Sequence, residues 1–223
     1  VQSWDARTEI KVHTYLPVVS NICEYNNRTF ITMGGEKRVI RTEDGNLLVD
    51  WNSNPAEIVD CNLDAERGGV NKLITMDNYI IAIRDYGISR IKWYEEDAVF
   101  DVAHILYSGG KIYGETACNC GKFGLVLCKD GLYQFDTVSA KKIDLGIGNM
   151  LKGISNKNAV ASFRNGTYYL ACKLNFGDNV AVGCEAETGY KNNAIIAYHI
   201  ATGKYTISRG IDVSSFCAVQ YES

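Results

Sequence analysis

The residues best suited to metal chemistry in this sequence are cysteines near the middle of the chain. Cys118 and Cys120 are separated by one residue, and Cys128 follows downstream. A structural zinc site needs four ligands, usually supplied as pairs with wider spacing. In a strand, Cys118 and Cys120 would share one face and supply two ligands, and a further ligand such as His104 would have to come from elsewhere. We therefore predict no metal site and interpret these thiols as ordinary side chains near a turn; a disulfide involving one of them is the alternative.

The chain contains eight cysteines, and an even count is compatible with a disulfide framework. Such frameworks belong mainly to small secreted domains that lack a sufficient core. A chain of 223 residues is large enough to form one. Cys23, Cys128, Cys172 and Cys217 lie in apolar, strand-like runs, where a free thiol packs as a small hydrophobic group. We predict mostly reduced, buried cysteines and synthesis in a reducing compartment.

Other candidate catalytic groups are scattered. His13, His104 and His199 lie far apart, and no nucleophile elbow, phosphate-binding loop or zinc-protease motif is present. Glu95-Glu96-Asp97 is a charge run typical of a solvated turn. Several arginines could converge on an acidic sugar as in sialidases, but the Asp-box motif typical of that family is missing. These arginines are Arg41, Arg84, Arg90, Arg164 and Arg209. We predict no catalytic residues and no cofactor.

The segment from Lys173 to Asn193 is longer than a hairpin connection needs. Long loops in compact domains are usually functional or mobile. The part around Asp178 holds one carboxylate, too few for a calcium cage. We predict a contact surface for a partner, with a solvated loop as the alternative. The predicted contact residues are Asn175, Phe176, Asp178, Asn179, Glu185, Glu187 and Tyr190.

The candidate residues described above lie on or between short segments with the sequence pattern of β-strands, which are separated by turn signals. Helical periodicity is almost absent, and the chain has 21 Gly, 14 Tyr and 2 Pro. Four stretches each show an apolar strand, a polar turn and a second apolar strand, which is the pattern of a β-hairpin. They are Ile22–Thr32, Leu73–Arg84, Phe123–Phe135 and Val160–Cys172. After two of them a third strand follows, Ile88–Trp93 and Ala194–His199.

The spacing of these hairpins indicates a repeat. Their turns lie near residues 26, 77, 130 and 165, close to the period of about 40–50 residues of a β-propeller blade. We predict one all-β, β-propeller-like domain over residues 1–223, with about five small blades of antiparallel strands. The fifth would pair Ser215–Tyr221 with Glu9–Pro17, which would remove two exposed sheet edges. A β-sandwich, which also has short and regularly spaced strands, is the alternative.

Composition excludes some classes of partner. The net charge is -3 and the pI about 5.7, so the sequence shows no basic footprint for nucleic acid or an anionic membrane surface. No apolar run is long enough to span a bilayer. The chain begins Val1-Gln2-Ser3-Trp4, without Met or a signal-like stretch. We therefore expect a mature form or a domain excised from a larger protein.

Four segments resemble the blades of bacteriophage tail and head–tail propeller proteins. They are Leu73–Ile83 with Gly87–Ile91, Phe163–Ala171, and Asn192–Tyr205. In those proteins a strand, a turn and Tyr-Tyr-Leu-Ala precede a strand ending in Tyr-Asp-x-x-Thr-Gly; here His199 stands at the aspartate position. The resemblance implies a virion structural protein, made in the host cytoplasm, whose partners are other virion or assembly subunits. It carries over no catalytic residues.

The sequence therefore predicts a non-enzymatic structural or assembly module. One alternative is a glycan- or ligand-binding propeller that uses Tyr and Trp on its loops as stacking platforms. A hydrolase or lyase on a propeller scaffold is a further alternative, because propellers host many functions.

Overall fold

The computed structural model describes residues 19–26, 28–33, 38–41, 58–61, 67–94, 99–177 and 189–217. Over these residues the protein is all-β, with four antiparallel sheets and one short helix. Every sheet has four strands that follow one another in the sequence and pair in that order. This meander is the pattern of a propeller blade, and the predicted all-β, propeller-like fold class is confirmed. A β-sandwich would instead collect its strands into two large facing sheets.

The chain divides into two compact units, Val1–His104 and Ile105–Ser223. In the first unit, sheet 1 contains β1 (Val19–Tyr25), β2 (Arg28–Met33), β3 (Arg38–Arg41) and β4 (Ile58–Asp60). Sheet 2 contains β5 (Val70–Met76), β6 (Tyr79–Arg84), β7 (Gly87–Tyr94) and β8 (Val99–Tyr107), whose last residues enter the second unit.

The second unit holds two further sheets and the helix. Sheet 3 contains β9 (Ile112–Asn119), β10 (Gly124–Cys128), β11 (Gly131–Phe135) and β12 (Ala140–Ile143). The short helix α1 (Gly148–Leu151) follows. Sheet 4 contains β13 (Val160–Arg164), β14 (Thr167–Cys172), β15 (Ala194–His199) and β16 (Lys204–Arg209).

The hairpin turns explain why the strands reverse where they do. Asn26, Asp77 and Asn165 have φ of 48°, 50° and 50°, the left-handed region that a two-residue hairpin turn requires. Asn and Asp tolerate this region better than other residues with a side chain. All four predicted hairpins are confirmed, because the paired strands are β1–β2, β5–β6, β10–β11 and β13–β14.

The third hairpin occupies a different place in its sheet from the other three. The predicted turn near residue 130 joins the second and third strands of sheet 3, whereas the other turns join a first and a second strand. The first hairpin of sheet 3 turns at residues 120–123. The first turns of the four sheets are therefore more evenly spaced along the chain than the predicted turns. The sequence indicated residue 130 instead, because the Asp130-Gly131 pair is a stronger turn signal than the residues around Gly121.

Each unit has its own apolar core between its two sheets. In the first unit, Phe30 of sheet 1 packs with Leu73, Ile80 and Ile91 of sheet 2. The backbone N–H of Leu73 also donates to Asn21 Oδ1 of sheet 1 at 2.9 Å.

In the second unit, Leu125 and Leu127 pack with Leu170 and Ile196. Tyr168 Oη of sheet 4 donates to the Thr116 carbonyl oxygen of sheet 3 at 2.7 Å. The pleat therefore directs alternate side chains of each strand into a core shared by two sheets.

The predicted fifth blade falls largely outside the described residues. Glu9–Pro17 and residues 218–221 are not among them, and residues 215–217 are described without strand structure. Cys217 is exposed, so the prediction that it packs inside an apolar strand is wrong. The last strand of sheet 4 has ended at Arg209, before this residue is reached.

Candidate functional site

A groove of about 710 Å³ opens at one end of sheet 3. This volume lies within the range of small-molecule sites, roughly 300–1,000 Å³. Three parts of the second unit line the groove: the loop before β9, the turn and strand from Lys129 to Tyr133, and the segment from Lys142 through α1. In a meander, the start of β9, the end of β10, the start of β11 and the end of β12 lie at the same end of the sheet, and this arrangement brings the three parts together.

A hydrogen-bonded cluster of charged and phenolic groups lies on one wall of the groove. Lys142 Nζ donates to Asp130 Oδ2 at 3.0 Å, and Tyr133 Oη donates to the same oxygen at 3.1 Å. Burial, together with the neighbouring Asp130, raises the pKa of Tyr133 to about 12. The phenol therefore stays protonated at neutral pH, and its role is that of a hydrogen-bond donor rather than a base.

Glycines form a large part of the groove wall. Gly109, Gly146 and Gly153 all line it, and a Cβ added at any of them would meet no other atom within 4 Å. Gly146 and Gly153 have φ of +66° and +75°, which side chains rarely adopt. The backbone at these positions is therefore left accessible to a ligand.

Ser108 fixes the loop that closes the groove beside β9. Its Oγ donates to the Gly110 carbonyl oxygen at 2.8 Å and accepts from the Gly110 N–H at 3.3 Å. Ser108 also lies beside Cys128, whose thiol pKa is raised chiefly by burial, against a smaller lowering by the Ser108 hydroxyl. Cys128 is therefore a protonated thiol and a poor nucleophile at neutral pH.

The structure describes three of the seven predicted contact residues, Asn175, Phe176 and Tyr190. The Asn175 N–H donates to the Met150 carbonyl oxygen of α1 at 2.8 Å. The Arg209 guanidinium lies 4.4 Å from the centre of the Phe176 ring, and the Tyr190 carbonyl oxygen accepts from Lys173 Nζ at 3.4 Å. The described ends of the loop are thus attached to α1 and to sheet 4. The predicted contact residues Asp178, Asn179, Glu185 and Glu187 lie outside the described residues.

The residues considered for a metal site have local partners. Cys118 and Cys120 are half-buried against the core of the second unit, and Cys120 Sγ donates to the Cys118 carbonyl oxygen at 3.7 Å. Burial raises the pKa of Cys120 to about 12. His104, in the first unit, hydrogen-bonds Ser89 Oγ through Nδ1 at 2.9 Å. Across the described ranges, no group of three or more His, Cys, Asp or Glu side chains could hold a metal ion.

The remaining candidates for catalysis are also engaged where they lie. His199 Nδ1 is 3.2 Å from Thr202 Oγ1 in an exposed turn. Arg84 is fully buried, and its Nε and Nη2 both donate to the Gly68 carbonyl oxygen. The guanidinium of Arg90 lies over the ring of Tyr79. Arg164 is exposed, while His13 and the side chain of Arg41 lie outside the described part.

Sequence reasoning missed the groove, although one signal was present. Lys129 and Asp130 were recognised as turn residues, but Lys142 and Lys152 were not singled out. Lysines lie next to or near glycines here, as in Gly110-Lys111, Lys129-Asp130-Gly131 and Lys152-Gly153. That pattern indicates basic side chains next to accessible backbone, and it could have marked the region as a ligand site.

Comparisons with known proteins give no family. No family model and no curated protein matches the chain. Among solved structures, the chain is similar to the N-terminal domain of Nup159 at 10% identity and a TM-score of 0.48, covering 92% of this chain and 47% of that one. It is similar to AztD from Citrobacter koseri at 12% identity and a TM-score of 0.47, covering 85% and 46%. A plant albumin from Cicer arietinum, described as showing hemagglutination, matches at 11% identity and a TM-score of 0.32, covering 87% and 94%. The chain spans about half the length of the first two structures.

The described helix content is confined to α1. No helix among these residues combines the length and the apolar character that crossing a bilayer requires.

Proposed function

We propose that this chain is a non-catalytic binding and scaffold module. The observation that supports it best is the state of the reactive groups beside the groove. Burial holds the Cys128 thiol in its protonated form. Tyr133 is held as a phenol, and Asp130 is paired with Lys142. Groups in these states can orient a ligand by hydrogen bonds, but they do not supply an activated nucleophile.

The test of this proposal is a search for turnover. Intact protein is incubated with chromogenic glycosides, esters and phosphate esters, beside an Asp130→Asn variant. We expect no turnover above buffer from either protein. Hydrolysis that the native chain supports and the variant loses would contradict a non-catalytic role.

The particular setting that we propose is a virion, in its tail or tail hub, with other virion subunits as partners. Support comes from the resemblance of Phe163–Ala171 and Asn192–Tyr205 to phage propeller blades. These segments cover most of β14 and all of β15, with the adjoining ends of β13 and β16, so the resemblance falls on paired strands of one sheet.

Particle composition tests the virion setting. Virions are purified from the native source, washed in high salt and analysed by quantitative mass spectrometry. We expect this chain at a fixed copy number relative to the capsid protein. Its absence from particles of a strain that expresses it would contradict the virion setting and leave the binding role to be judged by its own experiment.

Ligand binding is the second candidate function, and the groove favours it. Asp130 and Tyr133 offer hydrogen-bonding groups suited to hydroxyls, and glycines leave backbone accessible around them. This arrangement is typical of a site that recognises a small polar molecule such as a sugar.

A further inference from the structure

We propose that the groove at the end of sheet 3 binds a sugar that carries an acidic group, a uronate or a sugar phosphate. The inference deepens the ligand-binding role given above and rests on it. It depends on the charge of the lining, the open carboxylate oxygen of Asp130 and the glycine walls.

The lining of the groove is basic, although the whole chain is acidic. Lys129, Lys142 and Lys152 line it with a single carboxylate, that of Asp130, while the chain has a net charge of -3. Lys142 is paired with Asp130 at 3.0 Å. Within the described part of the chain, the ammonium groups of Lys129 and Lys152 have no acidic partner. Two unneutralised cations at one concave surface favour an anionic ligand.

Asp130 also allows the groove to bind hydroxyl groups, because its carboxylate can accept hydrogen bonds from them. Both of its hydrogen bonds, from Lys142 Nζ and Tyr133 Oη, fall on Oδ2. An ionised carboxylate offers about four lone-pair positions on two oxygens. The Asp130 side chain is 50% exposed, and the hydrogen bonds from Lys142 and Tyr133 leave Oδ1 to accept from a ligand. A carboxylate repels a bare anion but accepts hydrogen bonds from the hydroxyls of a sugar.

The glycine wall fits a compact, polar ligand rather than an apolar one. Gly109, Gly146 and Gly153 present backbone to open space, and Leu151 is the one large apolar residue among the lining residues. A volume of about 710 Å³ has room for a sugar with one acidic substituent. The three features together therefore point to a ligand with both negative charge and hydroxyls.

Binding is tested by isothermal titration of the intact chain, at low ionic strength, with four probes. They are glucuronate, glucose 6-phosphate, glucose and inorganic phosphate. We expect each acidic sugar to bind at least about tenfold more tightly than glucose or phosphate alone. The reason is that only the acidic sugars use the lysines and Asp130 together.

Two double variants with the same charge change provide the matched comparison. Lys129→Ala with Lys152→Ala removes the two cations of the groove and should weaken both acidic sugars by about tenfold or more. Lys122→Ala with Lys157→Ala removes two exposed lysines of the same unit that do not line the groove, and affinity should not change. Thermal melting serves to check that both variants remain folded. Asp130→Asn should weaken the acidic sugars and not inorganic phosphate.

Three results would overturn the proposal. One is that neither acidic sugar binds. Another is that the two double variants lose affinity equally, because the effect would then come from the overall charge. The third is that phosphate binds as tightly as glucose 6-phosphate, because hydroxyl recognition would then be missing. None of these results bears on turnover or on particle composition, so a failure here is separate from a failure of the scaffold or virion proposals.

Discussion

Gly124, at the start of β10, lies directly against the ring of Phe135 on the paired strand β11. A Cβ added at this position would overlap the ring, and the Phe135 side chain is buried. We expect Gly124→Ala to lower the free energy of unfolding by about 1–3 kcal/mol, as overpacking of a core does. Urea denaturation measures the change.

Gly109→Ala is the control for that substitution. A Cβ at Gly109 would meet nothing within 4 Å, so the free energy of unfolding should change by less than about 0.5 kcal/mol. Equal destabilisation by the two variants would contradict the close packing of Gly124 against Phe135.

The buried thiols predict a loss of stability in alkali. Burial raises the pKa of Cys23 and of Cys172 to about 12 in the folded chain. Above the ordinary thiol pKa of about 8.5 the unfolded chain releases these protons while the folded chain keeps them. Stability from this source is therefore fully present below about pH 8.5 and is lost as the pH rises toward 12.

Denaturant unfolding in reducing buffer between pH 7 and pH 11 measures this effect. The free energy of unfolding should fall by on the order of 1.4 kcal/mol per pH unit for each such thiol once the unfolded chain is ionised. Cys172→Ala removes one of these thiols, so the slope should become less steep by about 1.4 kcal/mol per pH unit. An unchanged slope in the variant would count against the protonated state of Cys172.

At the residue scale, the sequence predicted what local chemistry decides. The polar pairs near residues 26, 77 and 165 predicted turns, and Asn26, Asp77 and Asn165 adopt the positive φ that such turns require. The Asp130–Lys142 pair was missed because Asp130 lies in the turn before β11, whereas Lys142 lies twelve residues further along the chain on β12. Their contact depends on how β11 and β12 pair, which no local pattern reports.

Of the two adjacent tyrosines on β14, Tyr168 joins sheet 4 to sheet 3 and Tyr169 does not face sheet 3. Tyr168 is fully buried, and its Oη donates to the Thr116 carbonyl oxygen of β9 at 2.7 Å. Tyr169 points to the other face of the sheet and is 38% exposed. Tyr168→Phe leaves a buried carbonyl without this donor, so the free energy of unfolding should fall by about 1–3 kcal/mol.

Tyr169→Phe removes the same hydroxyl one residue away and serves as the matched variant. Its free energy of unfolding should stay within about 0.5 kcal/mol of the native value. If chemical denaturation gave the two variants the same stability, the hydrogen bond between the sheets would not contribute as described.

At the element scale, alternation and turn chemistry were enough to predict the strands but not their place within each sheet. The sequence predicts the Asp130-Gly131 turn as equivalent to the other three, but it is the second turn of sheet 3. The helix α1 was not predicted, because a single turn of four residues is too short to show helical periodicity. Since α1 lines the groove, the site could not be assembled from the strand pattern alone.

Across the whole molecule, strand position within a sheet predicts a gradient of backbone protection. β10 is buried throughout and pairs on both sides, whereas β16 is largely exposed and lies at the edge of sheet 4. Amide hydrogen exchange followed by mass spectrometry should show slow exchange in β10 and much faster exchange in β16, because an edge strand has fewer amides held in ladder bonds. Equal protection of the two strands would contradict the assignment of β16 to an edge.

At this scale the repeat was predictable because the first hairpins of sheets 1, 2 and 4 share one turn chemistry, with Asn or Asp at positive φ. The number of sheets was less so. Four are described, and the predicted fifth rested on pairing between the two ends of the chain. Pairing between distant segments carries no sequence signal as strong as a hairpin turn.

The order of the strands has a consequence for how such a chain can change over generations. Because each sheet is made from one uninterrupted stretch of sequence, a single tandem duplication of about 40–50 codons would copy a whole sheet with its internal pairing intact. Loss of one stretch would likewise remove a complete sheet. A lineage of this protein can therefore gain or lose sheets in whole steps, and the length of a homologous chain should differ from this one in multiples of that stretch.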